Sequence, residues 1–275
     1  MTGAFSIRKY LRDLKLPFCP GCGIFTIINS FLKAVHELGY EDFSKFIFCS
    51  GIGCSSWIPS PYFIADSVHT PHGRSIPVAT GIKLLRPKQN IVIFGGDGDI
   101  VGIGISHFIH AARRNLDILV IMVNNMVYGM TGGQVAPTTP FKTKTTTTPY
   151  GSFEQPLDSA KLAAAAGACY SARWTTAHPN QLKNSIKKAI QMKGFRFIEV
   201  VSQCPTAYGR RAGFKNVGEM LKWFKENATP IQQAEKMSEK KLEKRIVIGE
   251  FVQKRRPTIV ENVYAIIKEA QMNAR

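Results

Sequence analysis

Residues 91–134, IVIFGGDGDIVGIGISHFIHAARRNLDILVIMVNNMVYGMTGGQ, constrain the fold more than any other stretch of the chain. The apolar run 91–94 stops at Gly95-Gly96, as a strand buried on both faces would. Asp97-Gly98-Asp99 then falls at the carboxyl end of that strand, where open α/β sheets bind ligands. A helical pattern over about 103–114 leads to a second apolar run, 118–123, closed by Asn124-Asn125. Strand, turn, helix and strand in this order predict two parallel neighbours, with an acidic turn and an amide pair at the same ends.

That pairing points to a particular chemistry. An Asp carboxylate, an Asn amide oxygen and a nearby backbone carbonyl are hard oxygen donors, suited to an octahedral Mg²⁺ that keeps its other positions for phosphate and water. Glycines around Asp97 let the backbone approach a diphosphate closely. Alone, GDG reads as a turn. Followed after about 25 residues by NN, with each motif closing an apolar strand, it reads as a metal–diphosphate site.

The six cysteines carry a second signal. In Phe18-Cys19-Pro20-Gly21-Cys22-Gly23 a tight turn points two thiols at one centre, which suits a redox dithiol, a zinc ion or a cluster alike. Cys54 sits in Ser50-Gly51-Ile52-Gly53-Cys54-Ser55, a Gly-rich turn after the predicted strand 46–49. Cys204-Pro205 follows the predicted strand 197–201, and proline directly after cysteine recurs in iron–sulfur loops. Cys49, inside a strand, and Cys169, after an Ala-rich helix, read as buried core. His69 and His72 flank a proline in VHTPHGR, which by residue type alone is a polar loop before a helix.

A chain of 275 residues with 44% hydrophobic content can bury a full core and is expected to be one domain, 1–275. No apolar run approaches a membrane span, and the charged N-terminal stretch has no apolar signal core, so the expectation is a cytoplasmic protein with reduced cysteines. The net charge of +17 favours acidic partners. No helix-turn-helix, ribonucleoprotein or zinc-finger pattern supports nucleic acid.

The remaining pattern predicts a lead-in helix ending near residue 16 and helices over 24–38, 75–85, 158–166 and 180–192. Strands are predicted over 170–174 and 197–201, with a long Thr-, Lys- and Pro-rich loop over 137–149. Beyond Cys204 the pattern fades into a charged segment, 229–245, read as a helix with a loop, and a last helix, 259–270. The fold class is α/β: a mainly parallel sheet with flanking helices, its core over about 16–212 and a basic C-terminal extension over 213–275.

GDGD with a following NN resembles the thiamine diphosphate motif of the thiamine enzymes. The longer string HAARRN…NNMVYGMTGGQ…PTTP resembles the beta subunit of the 2-oxoacid:ferredoxin oxidoreductases. The resemblance implies a thiamine diphosphate-binding fold in which Asp97, Asn125 and Val127 hold Mg²⁺. It implies cofactor contacts from Ile52, Gly53, Cys54, Ser55, His72, Gly96, Asp97, Gly98, Asp99, Asn125, Val127, Gly129 and Met130. His72, ahead of His69, is the implied catalytic contact to diphosphate or substrate. Cys19, Cys22, Cys54 and Cys204 are the implied ligands of a [4Fe-4S] cluster. The implied reaction is reversible oxidative decarboxylation of a 2-oxoacid to acyl-CoA and CO₂, with electrons passed to ferredoxin. It runs with coenzyme A and with an alpha subunit that supplies the Glu activating the cofactor. CPTAYGRR resembles the 2-oxoglutarate-type members, and Arg210 and Arg211 form a candidate fork for a distal carboxylate. Trp57 stands where some relatives carry Lys, and Ile24-Phe25 where many carry His-Gly. Two other readings remain. A non-redox thiamine decarboxylase or synthase would not need four cysteines. A zinc-stabilised basic binding module would leave GDGD…NN without a use.

Overall fold

A computed structural model describes residues 5–274. The first four residues of the expected lead-in helix lie outside them. The strands, in chain order, are β1 (Phe46–Ser50), β2 (Asp66–His69), β3 (Asn90–Gly96), β4 (Leu119–Asn124), β5 (Val127–Tyr128), β6 (Gln134–Val135), β7 (Tyr170–Thr175), β8 (Arg196–Val201), β9 (Ala228–Pro230) and β10 (Ile246–Gln253). The α-helices are α1 (Ile24–Glu37), α2 (Ser75–Leu85), α3 (Ile105–Arg113), α4 (Ser159–Ala165), α5 (Pro179–Gln191), α6 (Val217–Asn227), α7 (Ile231–Ala234), α8 (Glu239–Leu242) and α9 (Ile259–Asn273). Among them none is long and apolar enough to cross a membrane.

Eight strands form one sheet in the order β2-β1-β3-β4-β8-β7-β10-β9. From β2 to β7 every pairing is parallel, and β10 joins β7 antiparallel. The chain steps one way from β1 to β2 and the other way from β3 to β4, so the strand order reverses between β1 and β3. That is the switch point at which an open α/β sheet leaves a crevice. The register pairs Gly96 with Val123. Asp97 and the Asn124-Asn125 pair therefore leave neighbouring strands at the same level.

Side-chain spacing explains the layers. Helix α1 buries Ile24, Ile27, Ile28, Phe31, Leu32 and Val35, an apolar stripe at three- and four-residue intervals. The stripe meets an aromatic cluster in which Phe31 lies 5.2 Å from Phe94, and Phe43 lies 5.0 Å from Phe48. Each such pair adds about 0.5–1.5 kcal/mol beyond area burial. The cluster anchors Phe94 in β3, two residues before the Gly96–Asp97 step. The opposite face of the sheet is covered by α3 and α4, with Phe108 against Phe195 and Phe197.

Three sequence expectations change. In place of a lead-in helix, the described residues have a single 3₁₀ turn, Ile7–Lys9. Tyr10 is fully buried and its hydroxyl donates to Tyr40 O at 2.6 Å, while Leu11 bridges to Phe63. These tertiary anchors hold the segment extended. The charged segment 229–245 is not one helix with a loop but β9, α7 and α8. The stretch 213–275 also adds β9 and β10 to the sheet, with Glu250 on β10 accepting from Tyr170 and Lys188. The polar edge strand β2 is a further addition to the expected strands.

Candidate functional site

At the end of β3 the chain enters a tight π-helical turn, Gly98–Ile103, before α3. Asp97, at the mouth of this turn, is 1% exposed. Thr138 Oγ1 donates to its Oδ2. Its other oxygen faces the Asn125 side chain and, beyond it, the Val127 carbonyl. The terminal amide atom of Asn125 lies 3.2 Å from Asp97 Oδ1 and 2.6 Å from Val127 O. With oxygen at that position three acceptors converge with no proton among them; with the amide reversed, its nitrogen donates to both. Neighbouring ligand oxygens on an octahedral Mg²⁺ stand about 3 Å apart, so the donor set and its spacing fit a small hard cation. Burial pushes the Asp97 carboxyl up to about 7, and the Glu199 charge adds to this against the hydrogen bonds of Thr138 and the Gly98 N–H. A cation at the convergence point would offset that burial.

Asp99, also buried, turns toward its own chain. Its Oδ1 accepts from His72 Nδ1 at 2.6 Å, from the Gly73 N–H at 2.7 Å and from the Ile52 N–H at 3.2 Å. One carboxylate thus clasps the loops after β1 and β2 to the β3 turn. It also fixes His72 so that Nε2 is the nitrogen left to serve a ligand. Gly51 must be glycine because a Cβ there would strike the Asp99 carboxylate, and Gly98 because the Tyr128 ring lies against it. The Tyr128 hydroxyl donates to Gly98 O at 3.3 Å.

These loops line one cleft. Ile52, Gly53, Cys54, Ser55, His72, Gly96, Asp97, Gly98, Asp99, Asn125, Val127, Gly129 and Met130 all line it. On the residues lining it, two buried side-chain atoms, Ser55 Oγ and Asp99 Oδ2, have no hydrogen-bond partner within the protein. A polar ligand in the cleft is the chemistry that such orphaned groups require.

A second cavity abuts the first and shares Ile24, Cys54, Val123, Asn125, Gly129 and Met130 with it. Cys19, Cys22, Cys54 and Cys204 all line this cavity. Burial, with repulsion from the other three, pushes the Cys22 thiol up to about 12; burial, with Cys204 and Cys19, pushes Cys54 up to about 11. Cys204 is raised in the same way, by burial first. Among the described residues no three His, Cys, Asp or Glu side chains converge closely enough to hold a single metal ion. The four thiols share one cavity, and thiolates are ligands that iron–sulfur and zinc centres both take.

Gln203 holds the distant halves of this set together. It accepts from the Gly23 N–H through its backbone carbonyl at 3.1 Å, and its side chain donates to Gly21 O at 3.2 Å. Thr176 Oγ1 donates to its Oε1 at 2.5 Å. Cys49 and Cys169 stand apart and fully buried, Cys169 donating to Asn115 Oδ1 at 3.1 Å. His69, on β2, lines neither cavity. Arg210 and Arg211 are exposed and also line neither, so the expected carboxylate fork does not face the cleft; Arg211 borders a separate groove with Trp223 and Lys142.

Sequence reasoning missed Thr138, Tyr128, Gln203 and Glu199. For Glu199 a signal existed: a carboxylate inside RFIEVV, a strand buried along its whole length. For Thr138 the signal was PTTP within the long loop, a short polar cluster with no use of its own.

A parallel sheet with a diphosphate-type turn at its switch point, facing an Asn–carbonyl pair on the next strand, defines a thiamine-enzyme fold. Residues 51–200 match the thiamine pyrophosphate enzyme, C-terminal TPP binding domain. The chain is 54% identical to the 2-oxoglutarate synthase subunit KorB of Methanocaldococcus jannaschii, over 95% of this chain and 97% of the relative. It is 39% identical to 2-oxoacid:ferredoxin oxidoreductase 2, subunit beta, of Aeropyrum pernix, over 84% and 72% respectively. Among solved structures it resembles the 2-oxoglutarate:ferredoxin oxidoreductase from Magnetococcus marinus with 2-oxoglutarate, coenzyme A and succinyl-CoA bound. That likeness has a TM-score of 0.86 and 31% identity and covers 98% of this chain and 92% of that one. The chain belongs to the beta-subunit family of the 2-oxoacid:ferredoxin oxidoreductases, and so is a subunit of an oxidoreductase.

Proposed function

We propose that this chain is the beta subunit of a 2-oxoglutarate:ferredoxin oxidoreductase. It holds Mg²⁺–thiamine diphosphate in the cleft and a [4Fe-4S] cluster in the cysteine-lined cavity. The observation that carries this reading is the common wall: Cys54, Asn125, Gly129 and Met130 border both spaces. When bound, thiamine diphosphate supplies a nucleophilic carbon and an electron sink, and the cluster a one-electron carrier. The residues common to both linings would stand between the two groups.

The residues divide the work. Asp97, Asn125 and Val127 hold the cation that anchors the diphosphate, and Thr138 orients Asp97. Glycine backbone at Gly53 and Gly96 leaves room for the cofactor. His72, held by Asp99, presents Nε2 to the diphosphate or the substrate. Asp97 and Asp99 are the only carboxylates lining the cleft among the described residues, and both are engaged. As the family resemblance implies, the alpha subunit supplies the Glu that activates the cofactor and completes the site. Coenzyme A takes the acyl group and ferredoxin the electrons. The +17 charge suits an acidic ferredoxin. The six free cysteines suit the reducing cytoplasm.

The choice of 2-oxoglutarate rests on the relatives, since Arg210 and Arg211 lie outside both cavities. The test is the complex reconstituted with its alpha subunit. We expect kcat/KM for 2-oxoglutarate to exceed that for pyruvate and 2-oxobutyrate, with the ratio unchanged in Arg210→Ala. A preference for pyruvate would overturn the substrate while leaving the cofactor assignments standing.

A further inference from the structure

Strand β8 is buried along its whole length, yet carries Glu199 at 2% exposure. The carboxylate is fully engaged. Its Oε2 accepts from Arg173 Nε at 2.8 Å and its Oε1 from Asn124 Nδ2 at 2.7 Å. Arg173 also donates to Asp158, the N-cap of α4. The pairings Arg173–Glu199 and Met122–Glu199 set these side chains in one row across β7, β8 and β4, beneath the end of β4.

The row ends at a strained turn. Met126 has φ +66°, a left-handed conformation that a bulky side chain adopts only when its surroundings impose it. Here both of its backbone groups are pinned: Asn124 Oδ1 accepts from the Met126 N–H at 3.0 Å, and Thr139 Oγ1 donates to Met126 O at 2.6 Å. Met126 lies between Asn125 and Val127. Its reversal is what brings a side chain from one and a carbonyl from the other to the same point beside Asp97.

A carboxylate only accepts, so Glu199 determines which way the Asn124 amide faces. The NH₂ must point at Glu199, which leaves Oδ1 for the Met126 N–H. Arg173 supplies the counter-charge that a buried carboxylate needs. We propose that Glu199 is a positioning residue for the cation–diphosphate site, acting through Asn124 and the Met126 turn and touching neither metal nor substrate. The proposal rests on reading Asp97, Asn125 and Val127 as the cation ligands. Outer partners of this kind typically change metal affinity about 10- to 100-fold when altered.

Glu199→Gln keeps the shape and one acceptor but adds an NH₂, so the sense of the Asn124 amide is no longer fixed. In the complex with the alpha subunit, thiamine diphosphate binding is followed by calorimetry across a Mg²⁺ titration. We expect the Mg²⁺ concentration for half-saturation to rise about 10- to 100-fold. Excess Mg²⁺ should restore full cofactor occupancy. Should Glu199→Gln fail to fold, Asn124→Ser leaves the Arg173–Glu199 pair intact, removes the relay, and should raise the Mg²⁺ requirement likewise. A lowered Tm with an unchanged Mg²⁺ requirement in the variant that folds would make Glu199 merely structural and overturn the proposal. A parent complex that binds no thiamine diphosphate at any Mg²⁺ concentration would instead overturn the reading of the site, and the proposal with it.

Discussion

Burial holds the Asp97 carboxyl at about 7, against an ordinary value of 3.8. The cofactor-free fold therefore binds this proton more tightly than the unfolded chain does. The resulting stability is fully present below pH 3.8 and is lost as pH rises through about 7. Asp97→Asn should remove that loss, so cofactor-free Asp97→Asn should be more stable than the parent at pH 8, on the order of a few kcal/mol. The same substitution should abolish Mg²⁺-dependent thiamine diphosphate binding. Thermal melts at pH 5 and 8, with calorimetry, check both; a variant that still binds the cofactor with Mg²⁺ removes Asp97 from the site. Thr138→Val should leave Asp97 Oδ2 without its donor, costing about 1–3 kcal/mol and weakening cofactor binding in parallel. Asp97 and Asn125 were legible because each closes an apolar run. Thr138, Glu199 and Gln203 were not, because their partners lie 41, 75 and 182 residues away, beyond any local pattern.

The Cys-Pro-Gly-Cys turn and the loop after β8 come from opposite ends of the described core and meet through Gln203. Gln203→Ala keeps all four thiols but releases that tie. It should lower the iron retained per chain by severalfold, measured against the parent after anaerobic purification, as should Cys204→Ala, while Cys169→Ala should not. Equal iron in the parent and Gln203→Ala would show that the set holds without the tie. Strand β8, which bears the second of these loops, was readable as the apolar run 197–201 ahead of Ser202-Gln203-Cys204. Strand β10 was missed although IVIGEFVQ is rich in β-branched residues, because lysines flank it and it is only half-buried beside β7. Ending the chain at Ala212 would expose the β7 edge that β10 covers. Such a chain should collect in the insoluble fraction; a soluble product with the parent's Tm would mean that β10 is dispensable.

Across the molecule, the order reversal between β1 and β3 gathers loops from five strands into two cavities with a common wall. The parallel sheet was legible from alternating apolar runs and helical stretches. The reversal was not, since strand order depends on which edges pair. The claim that both cavities belong to one redox site is best tested on the complex with the alpha subunit, purified without oxygen. Iron per beta chain and the visible spectrum are recorded before and after 2-oxoglutarate and coenzyme A are added. The expected result is about four irons and broad brown absorption that bleaches with substrate only when thiamine diphosphate and Mg²⁺ are present. In Asp97→Asn the colour should remain and the bleaching should fail. A colourless protein containing zinc, or brown absorption that substrate does not bleach, would contradict a shared redox site.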